Sequence, residues 1–415
     1  MLRRSDSVAL LAALSALGCG VPEPPGSTGG TQATPGACGR GVAVVHQDDS
    51  YASTNVSLLD WSGEVLSSSF ISSATSAAKL SAKLSGDVVL PTAPSSGDQL
   101  VLIDRYPASV LTWVDVKTAE VAQQLSVRSG FAANPHDYLP LGPTSALVTR
   151  LGKNPDPEAG PLDRGDDVLI LDLAGPVPVA SIDLAPAMAG AESKLHASPH
   201  KLVKAPGRVV VSLLAHSGDY TDAGPSRLAL IDPDSRSVEQ VLVLEGLYEC
   251  NGLALSPDQA RLALGCSGRF HGGSSSDAKE SAVAIVDLGA TLTEVARFPA
   301  EQDAPFGFAI SWASDRSVVA NTFGREAATG VSARPDRVVE INLDGGERRT
   351  LLESAEAPFT LGDVRCGAAC ATCFVTDASR SRVHSFSVGA SGLEPGLSID
   401  VGDAIGLPPR WLGQF

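Results

Sequence analysis

A short apolar run that ends in a polar residue recurs seven times along this 415-residue chain. The copies are "VSLLDW" (Val56), "LTWVDV" (Leu111), "VLILDL" (Val168), "LALIDP" (Leu228), "VAIVDL" (Val283), "VVEINL" (Val338) and "RVHSFSV" (Arg382), about 45 to 60 residues apart. Repetition on this scale is typical of architectures that stack one supersecondary unit many times. It also explains how roughly 375 residues beyond position 40 can fold without a second linker, although ordinary domains have about 100–200 residues.

The clearest unit consists of "CNGLALSPDQARLALGCSG" (250–268) and "SAVAIVDLGATLTEVARFP" (281–299). Its alternating apolar runs, the Pro-Asp turn and the run ending in Asp287 predict four strands. The unit resembles the repeats of the YVTN family of β-propellers, which are of the WD40-like type. The resemblance implies an all-β, seven-bladed propeller with four antiparallel strands per blade over residues 41–415. The first and last copies match the pattern least well.

The first repeat lacks an innermost strand, because "GVAVVHQ" from Gly41 matches the second strand of the other repeats. The segment "IGLPPRWLGQF" from Ile405 follows the last strand of the seventh repeat, where the next first strand would begin. We therefore predict that the C-terminal strand joins blade 1 and closes the ring. Closure would remove free sheet edges from an otherwise linear array.

The chain begins with two arginines and an apolar run from Val8 to Leu17, which predicts a signal peptide over residues 1–18. This run is about half the length of a transmembrane helix, which needs roughly 20 residues. The residues "ALGC" resemble the lipobox of bacterial lipoproteins, with Ala16 where the family prefers leucine. The resemblance implies a lipid on Cys19, and a plain signal peptide is the alternative. Residues 19–40, rich in Pro, Gly, Ser and Thr, are predicted to be a disordered tether.

These features predict a lipid-anchored protein of the bacterial cell envelope that faces the periplasm or the cell surface, with the outer membrane favoured over the inner. The formal net charge of -16 argues against nucleic acid as a partner, because phosphate binding needs clustered Lys and Arg. We expect a monomer that contacts the membrane through its lipid. Its partner would be an envelope protein or a small molecule.

Six cysteines remain besides Cys19, and an even number in an exported chain favours disulfides. The propeller pattern favours the pairs Cys250 with Cys266, Cys366 with Cys373, and Cys38 with Cys370. The first two pairs would face each other across hairpins, and the third would join blade 1 to a turn of the neighbouring blade 7. Pairing of Cys370 with Cys373 and of Cys366 with Cys38 is also compatible with the spacing.

The loops that are expected on one face of the ring are long and polar. They are "GKNPDPEAGPLDRGDD" (Gly152), "HSGDYTDAGPS" (His216), "GRFHGGSSSDAKES" (Gly268) and "GREAATGVSARPD" (Gly324). Binding residues are often found on loops that a rigid scaffold holds in place. We therefore predict that this surface, the long-loop face, is the binding face.

Two predicted first strands begin with the same sequence pattern, "NPHDYLPL" with His136 and "SPHKLVKA" with His200. At the corresponding position, blades 6 and 7 are expected to carry Phe306 and Phe359. Residues near the ends of second strands are expected beside these histidines at the mouth of the channel. They are His46, Asp104, Arg105, Arg150, His216, Arg269 and Arg325. Such a cluster could bind an anion or a metal, with His136, His200 and His216 as the strongest candidates. The alternative is that the histidines only fill a position where phenylalanine fits equally well.

The chain carries no G-x-S-x-G motif, P-loop or dinucleotide fingerprint. The first hypothesis is a binding or scaffold module without catalysis or cofactor. The second is a metal-assisted, lactonase-like hydrolase that uses the channel-mouth histidines. The acidic loop residues could bind calcium or another divalent ion, although none fits an EF-hand pattern. They are Asp156, Glu158, Asp163, Asp166, Asp167, Asp219 and Asp222.

Overall fold

The computed structural model describes residues 36–95, 97–128, 130–269, 278–402 and 405–415. The predicted signal peptide, the predicted lipidation site Cys19 and most of the predicted tether lie outside the described residues. In the part of the chain that is described, no helix is long and apolar enough to cross a membrane.

The described chain forms seven sheets of four antiparallel strands, which confirms the predicted seven-bladed propeller. From the innermost strand outward, blade 1 contains β28 (Pro409–Gln414), β1 (Gly41–Gln47), β2 (Thr54–Asp60) and β3 (Val65–Ser72), and blade 2 contains β4 (Val88–Val89), β5 (Gln99–Asp104), β6 (Val110–Asp115) and β7 (Val121–Ser126). Blade 3 contains β8 (Pro135–Pro140), β9 (Ser145–Lys153), β10 (Gly165–Asp172) and β11 (Val177–Asp183), and blade 4 contains β12 (Pro199–Ala205), β13 (Arg208–Leu213), β14 (Arg227–Asp232) and β15 (Ser237–Val243). Blade 5 contains β16 (Gly252–Leu255), β17 (Arg261–Cys266), β18 (Ala282–Leu288) and β19 (Leu292–Pro299), and blade 6 contains β20 (Phe306–Ser314), β21 (Ser317–Thr322), β22 (Arg337–Asn342) and β23 (Arg348–Glu353). Blade 7 contains β24 (Leu361–Gly367), β25 (Thr372–Asp377), β26 (Arg382–Gly389) and β27 (Gly392–Asp400).

The polar residue that ends most of the repeated third strands shapes the turn that follows. The Oδ1 atom of Asp60 accepts a hydrogen bond from the amide of Ser62 at 2.9 Å. Asp115, Asp172, Asp232 and Asn342 each accept an equivalent bond from the amide two residues ahead. Side-chain carboxylates and amides mimic a backbone turn in this way. In these five repeats the motif therefore combines an apolar strand with the residue that shapes the following turn.

Apolar side chains fill seven clusters, one between each pair of neighbouring blades. Phe306 and Trp312 belong to the cluster between blades 5 and 6, and Leu412 and Phe374 belong to the one between blades 7 and 1. Strands inside a blade are buried on both faces, and all seven residues of β1 are buried. The outermost β19 alternates between covered and exposed residues because one of its faces meets solvent.

The C-terminal strand closes the ring as predicted, since β28 pairs with β1 as the innermost strand of blade 1. The amide of Phe415 donates to Gly41 O at 3.1 Å, and the amide of Gly41 donates to Phe415 O at 3.2 Å. A Cβ at Gly39, whose φ is +83°, would lie 2.5 Å from Phe415 O. The close approach of the two chain segments therefore requires glycine at this position.

Three disulfides staple the ring, and they join Cys38 to Cys370, Cys250 to Cys266, and Cys366 to Cys373. These are the pairs that the hairpin positions favour, and the alternative pairing among the four cysteines near the seam is not the one present. The bond between Cys38 and Cys370 links blade 1 to blade 7 across 332 positions of the sequence. Three disulfides indicate an oxidising, extracellular-type environment.

Candidate functional site

Five of the seven innermost strands carry an irregularity near their first residue, at the long-loop end of the channel. In blade 3, Pro135 pairs with Arg150 and Asp137 pairs with Thr149, so His136 is the extra residue of a β-bulge. In blade 4, His200 and Lys201 together stand opposite the single residue Ser212. Bulges bend a strand and redirect its side chains, and they are common beside functional sites.

Polar side chains on the second strands hold these bulges in place. Ser212 Oγ accepts the amide of Lys201 at 3.0 Å, and Thr376 Oγ1 accepts the amide of Asp363 at 2.8 Å. In blade 6, Asn321 Oδ1 accepts the amide of Ala309 at 3.0 Å. Each bond satisfies a backbone donor that the sheet ladder leaves unpaired. The bulged backbone at the channel mouth is therefore held in one conformation by these side-chain hydrogen bonds.

The two histidines occupy equivalent positions, but the expectation that Phe306 and Phe359 share this position is wrong. Phe306 pairs with Thr322 and is thus equivalent to Pro135, so Gly307 stands at the histidine position of blade 6. Phe359 lies two residues before β24. The sequence pattern of proline followed by an aromatic ring or imidazole therefore does not mark the same strand position in every blade. The bulges shift the register of the innermost strands by one or more residues.

A cavity of about 200 Å³ opens at this end of the channel. We call it the cationic cavity, because five basic side chains line it: Arg105, His136, His200, Lys201 and Arg365. Asp363, Asn251, Tyr51 and Trp411 complete much of its polar and aromatic wall. Tyr51 comes from the loop between the second and third strands of blade 1, so the cavity lies on the long-loop face.

The imidazole rings of His136 and His200 lie against each other, with centroids 4.8 Å apart and planes inclined by 49°. Burial lowers the pKa of both rings well below the usual value, and nearby positive charges lower it further. Both rings are therefore neutral at neutral pH. Within the described residues, the buried Nδ1 atom of His200 has no hydrogen-bond partner. This atom can donate to or accept from a ligand that enters the cavity.

The three charged bases differ in how far the protein neutralises them. Arg105 donates to Asp87 Oδ1 through Nε at 2.9 Å, and its guanidinium lies 5.7 Å from the ring centroid of Trp411. Arg365 Nε donates to Leu412 O at 3.0 Å and lies 3.4 Å from Asp363 Oδ2.

Lys201 is the exception among these bases. Its ammonium group forms no close ion pair and no hydrogen bond in the described part of the chain; burial lowers its pKa, and the more distant carboxylates of Asp137 and Asp363 act in the opposite direction. A desolvated charge without a directly contacting partner is costly, and an anionic ligand can supply that contact. Lys201 is therefore the charged base of this cavity that lacks a directly contacting partner in the described residues.

The other candidate residues have structural partners away from the cavity. His46 contacts Ser57 Oγ through Nε2 at 2.8 Å and Leu407 O through Nδ1 at 3.2 Å, and burial lowers its pKa to about 4. Asp104 accepts the amide of Ser85 at 2.7 Å. Arg150 is fully buried and forms two hydrogen bonds with Asp167, at 2.8 and 2.6 Å. His216 Nε2 contacts Glu249 Oε1 at 2.7 Å, Arg269 pairs with Glu280, and Arg325 pairs with Asp303 at 3.2 Å.

Of the nine candidates, the structure thus brings His136, His200 and Arg105 together in the cavity. Sequence reasoning missed Lys201 and Arg365. In a regular strand Lys201 would point away from the face that carries its neighbour His200, because side chains alternate. The bulge places both on the channel wall. Only the adjacent letters "HK" in "SPHKLVKA" hinted at a second base.

In the regions that the structure describes, the acidic loop residues form no group of three or more potential metal ligands. Asp167 pairs with Arg150, Asp222 pairs with Lys194 at 2.5 Å, and Asp219 accepts bonds from Ser217 and Thr221. Asp166 accepts the amide of Ser198 at 2.6 Å, and burial raises its pKa to about 6. Residues 270–277 of the predicted loop from Gly268 lie outside the described part.

No family model and no curated protein matches the chain. Solved structures are similar to it in fold. A protein from Lactobacillus plantarum has a TM-score of 0.57 at 12% identity, covering 90% of this chain and 98% of the other. The β-propeller domain of Cps50 (Swd1) from Myceliophteria thermophila has a TM-score of 0.55 at 11% identity, covering 84% and 98%. The periplasmic gluconolactonase PpgL from Pseudomonas aeruginosa has a TM-score of 0.52 at 13% identity, covering 90% and 98%. Identities this low show the fold alone, and the YVTN type of the repeat stays a prediction.

Proposed function

We propose that the protein is a binding module that holds a small anionic molecule in the cationic cavity, without catalysis. The observation that carries the proposal is Lys201, which lines the cavity and whose ammonium group forms no hydrogen bond or close ion pair among the described residues. Arg105 and Arg365 add positive potential beside it. This local excess of positive charge belongs to a chain whose formal net charge is -16, so it does not follow from the general composition.

The fixed scaffold around the cavity supports the same proposal. The bulges are held by side-chain hydrogen bonds, and the two neutral imidazoles offer polar atoms at the wall. Pockets that bind small molecules usually combine a largely preformed shape with a few convergent polar groups. A carboxylate or phosphate group would fit this arrangement, because it can accept hydrogen bonds from Lys201 and from the imidazoles.

The test is titration with acetate and inorganic phosphate at low ionic strength, followed by ligand-observed NMR. We expect Lys201→Met to weaken binding at least about tenfold, since a hydrogen bond to a charged group contributes about 1.5–3 kcal/mol. Lys204→Met is the matched control, because Lys204 lies on the same strand but is exposed and bonds Leu141 O at 2.7 Å. Equal effects of the two substitutions, or failure of both anions to bind the wild type, would overturn the proposal.

We further propose that the protein is held at the membrane of a bacterial envelope by a lipid on Cys19. Its support is the lipobox-like sequence "ALGC", together with three disulfides that suit an exported protein. Expression of full-length wild type and Cys19→Ser, followed by detergent phase partitioning, tests the anchor. We expect the wild type in the detergent phase and the variant in the aqueous phase, and identical partitioning contradicts the proposal.

The second candidate function is a metal-assisted, lactonase-like hydrolase. The adjacent imidazoles of His136 and His200 favour it, since neutral imidazole is a common metal ligand. A metal there would need further ligands from water or substrate, because the described residues contain no cluster of three potential ligands. Plasma mass spectrometry of the untagged domain tests this function. It requires stoichiometric metal in the wild type that the triple alanine variant of His136, His200 and His216 lacks.

A further inference from the structure

A second cavity, of about 490 Å³, adjoins the cationic cavity on the long-loop face. We call it the aromatic cavity, because five aromatic side chains line it: Tyr51, Phe308, Phe323, Phe359 and Trp411. Tyr51, Phe308 and Trp411 also line the cationic cavity. The two cavities are therefore neighbouring compartments of one site, separated by shared aromatic walls.

The concentration of aromatic rings at this place is unusual for the chain. Aromatic residues make up only 5% of the sequence, and five of its 20 Phe, Trp and Tyr residues meet here. Phe323 contacts Phe308 with ring centroids 5.0 Å apart and Phe359 with centroids 4.7 Å apart, both edge to face. Such arrangements present ring faces and edges to a guest, and an aromatic guest can join them with favourable geometry.

Hydrogen bonds hold the wall of the aromatic cavity in place. Trp411 Nε1 donates to Gln47 Oε1 at 3.0 Å, and Arg410 Nη1 donates to the backbone oxygen of Phe359 at 2.8 Å. Asn321 Nδ2 donates to Leu361 O at 2.9 Å. A wall that is ordered before binding spares the ligand the entropic cost of ordering it.

Tyr51 forms the rim that both cavities share. Its side chain is 60% exposed and its φ is +56°, a conformation that is rare for a bulky residue. Its backbone lies so close to Gly86 that a Cβ at position 86 would be 1.9 Å from the carbonyl carbon of Tyr51. The amide of Gly86 donates to Tyr51 O at 3.0 Å. The chain thus holds a large exposed ring at the entrance of the site, where an apolar ligand could cover it.

We propose that the ligand is an aromatic acid, whose anionic group lies beside Lys201 and whose ring occupies the aromatic cavity. This inference rests on the proposed function, since it extends the same site. Charge complementarity favours the acid: Arg410 at the edge of the aromatic cavity forms an ion pair with Asp49, whereas Lys201 forms no close ion pair in the described residues and meets only the more distant carboxylates of Asp137 and Asp363. An amphipathic molecule of this kind would use the positive compartment and the aromatic compartment at once.

The experiment compares the dissociation constants of acetate, phenylacetate and the uncharged phenylacetamide with the folded domain. We expect phenylacetate to bind at least tenfold more tightly than acetate, because burial of an aromatic ring is worth more than about 1.4 kcal/mol. We expect phenylacetamide to bind at least tenfold more weakly than phenylacetate, because it lacks the charge.

Variants separate the two compartments. Phe359→Leu should reduce the advantage of phenylacetate over acetate and leave acetate binding unchanged, whereas Lys201→Met should weaken both. Phe298→Leu is the control, since Phe298 is equally half-buried but lies on the outer strand β19. If acetate binds and phenylacetate binds no more tightly, the aromatic acid is overturned and anion binding stands. If phenylacetamide alone binds, or neither acid binds, anion binding is overturned as well.

Discussion

The replacement Leu412→Ala measures how much the closing strand contributes to the fold. Leu412 is fully buried in the cluster between blades 7 and 1, together with Val42, Leu59 and Phe374. Its backbone bonds to Asp363 and Arg365 survive the change, because they do not involve the side chain. The substitution therefore removes only packing. Truncation of a buried leucine costs about 2–5 kcal/mol, from lost transfer energy and from the cavity left behind.

The assay is guanidinium unfolding of the oxidised domain, followed by circular dichroism. Leu397→Ala is the matched control, because Leu397 lies on β27 of blade 7 and is 54% exposed. We expect the control to change the free energy of unfolding by no more than about 0.5 kcal/mol. Equal unfolding curves for the two variants would refute the reasoning, because β28 would then lie outside the cooperative core. Deletion of residues 405–415 should go further and unfold the domain.

Three more outcomes follow from the structure. Replacing both Cys38 and Cys370 with Ser should lower the melting temperature more than replacing both Cys366 and Cys373, because the first bond closes a loop of 332 positions in the unfolded chain and the second a loop of only 7. The reverse order of melting temperatures contradicts the idea that the bond between Cys38 and Cys370 stabilises the ring by closing the longer loop. His46 has a folded pKa of about 4 against 6.5 unfolded, so the unfolded state binds more protons between these values. The contribution of neutral His46 to the free energy of unfolding should therefore be fully present above about pH 6.5 and fall by about 3 kcal/mol as the pH drops to 4. His46→Gln should reduce this dependence of the free energy of unfolding on pH in urea titrations, and an unchanged dependence contradicts the lowered pKa of His46. The pKa values of His136 and His200 are lowered, and a bound anion favours their charged forms. Affinity for the ionised anion, measured by NMR titration, should thus increase as the pH falls toward these lowered pKa values, and a constant affinity while the histidine signals titrate would show that their charge does not contribute to binding.

The sequence by itself determined the ring. The repeats share a strand period, and five of the seven show the same turn chemistry, as in the carboxylate of Asp60 that accepts a hydrogen bond from the amide of Ser62. These are interactions between near neighbours in the chain, so a single sequence reveals them. Closure could be predicted for a related reason, since a missing first strand at one end and a spare strand at the other leave one arrangement that removes both edges. The positions of the cysteines favoured the pairs that the structure contains, although the spacing also allowed Cys370 with Cys373 and Cys366 with Cys38.

The tertiary structure decided the site. Its residues come from positions as far apart as Tyr51, His200, Phe359 and Trp411, and no local spacing links them. Bulges shift the register of the innermost strands, so that neighbours such as His200 and Lys201 reach the same wall although strict alternation predicts opposite sides. Burial and partners then separate His136 and His200, which line the cavity, from His46, whose two nitrogens are both engaged inside the protein. Local patterns reveal strands and turns because those depend on adjacent residues, whereas a cavity depends on how seven blades meet.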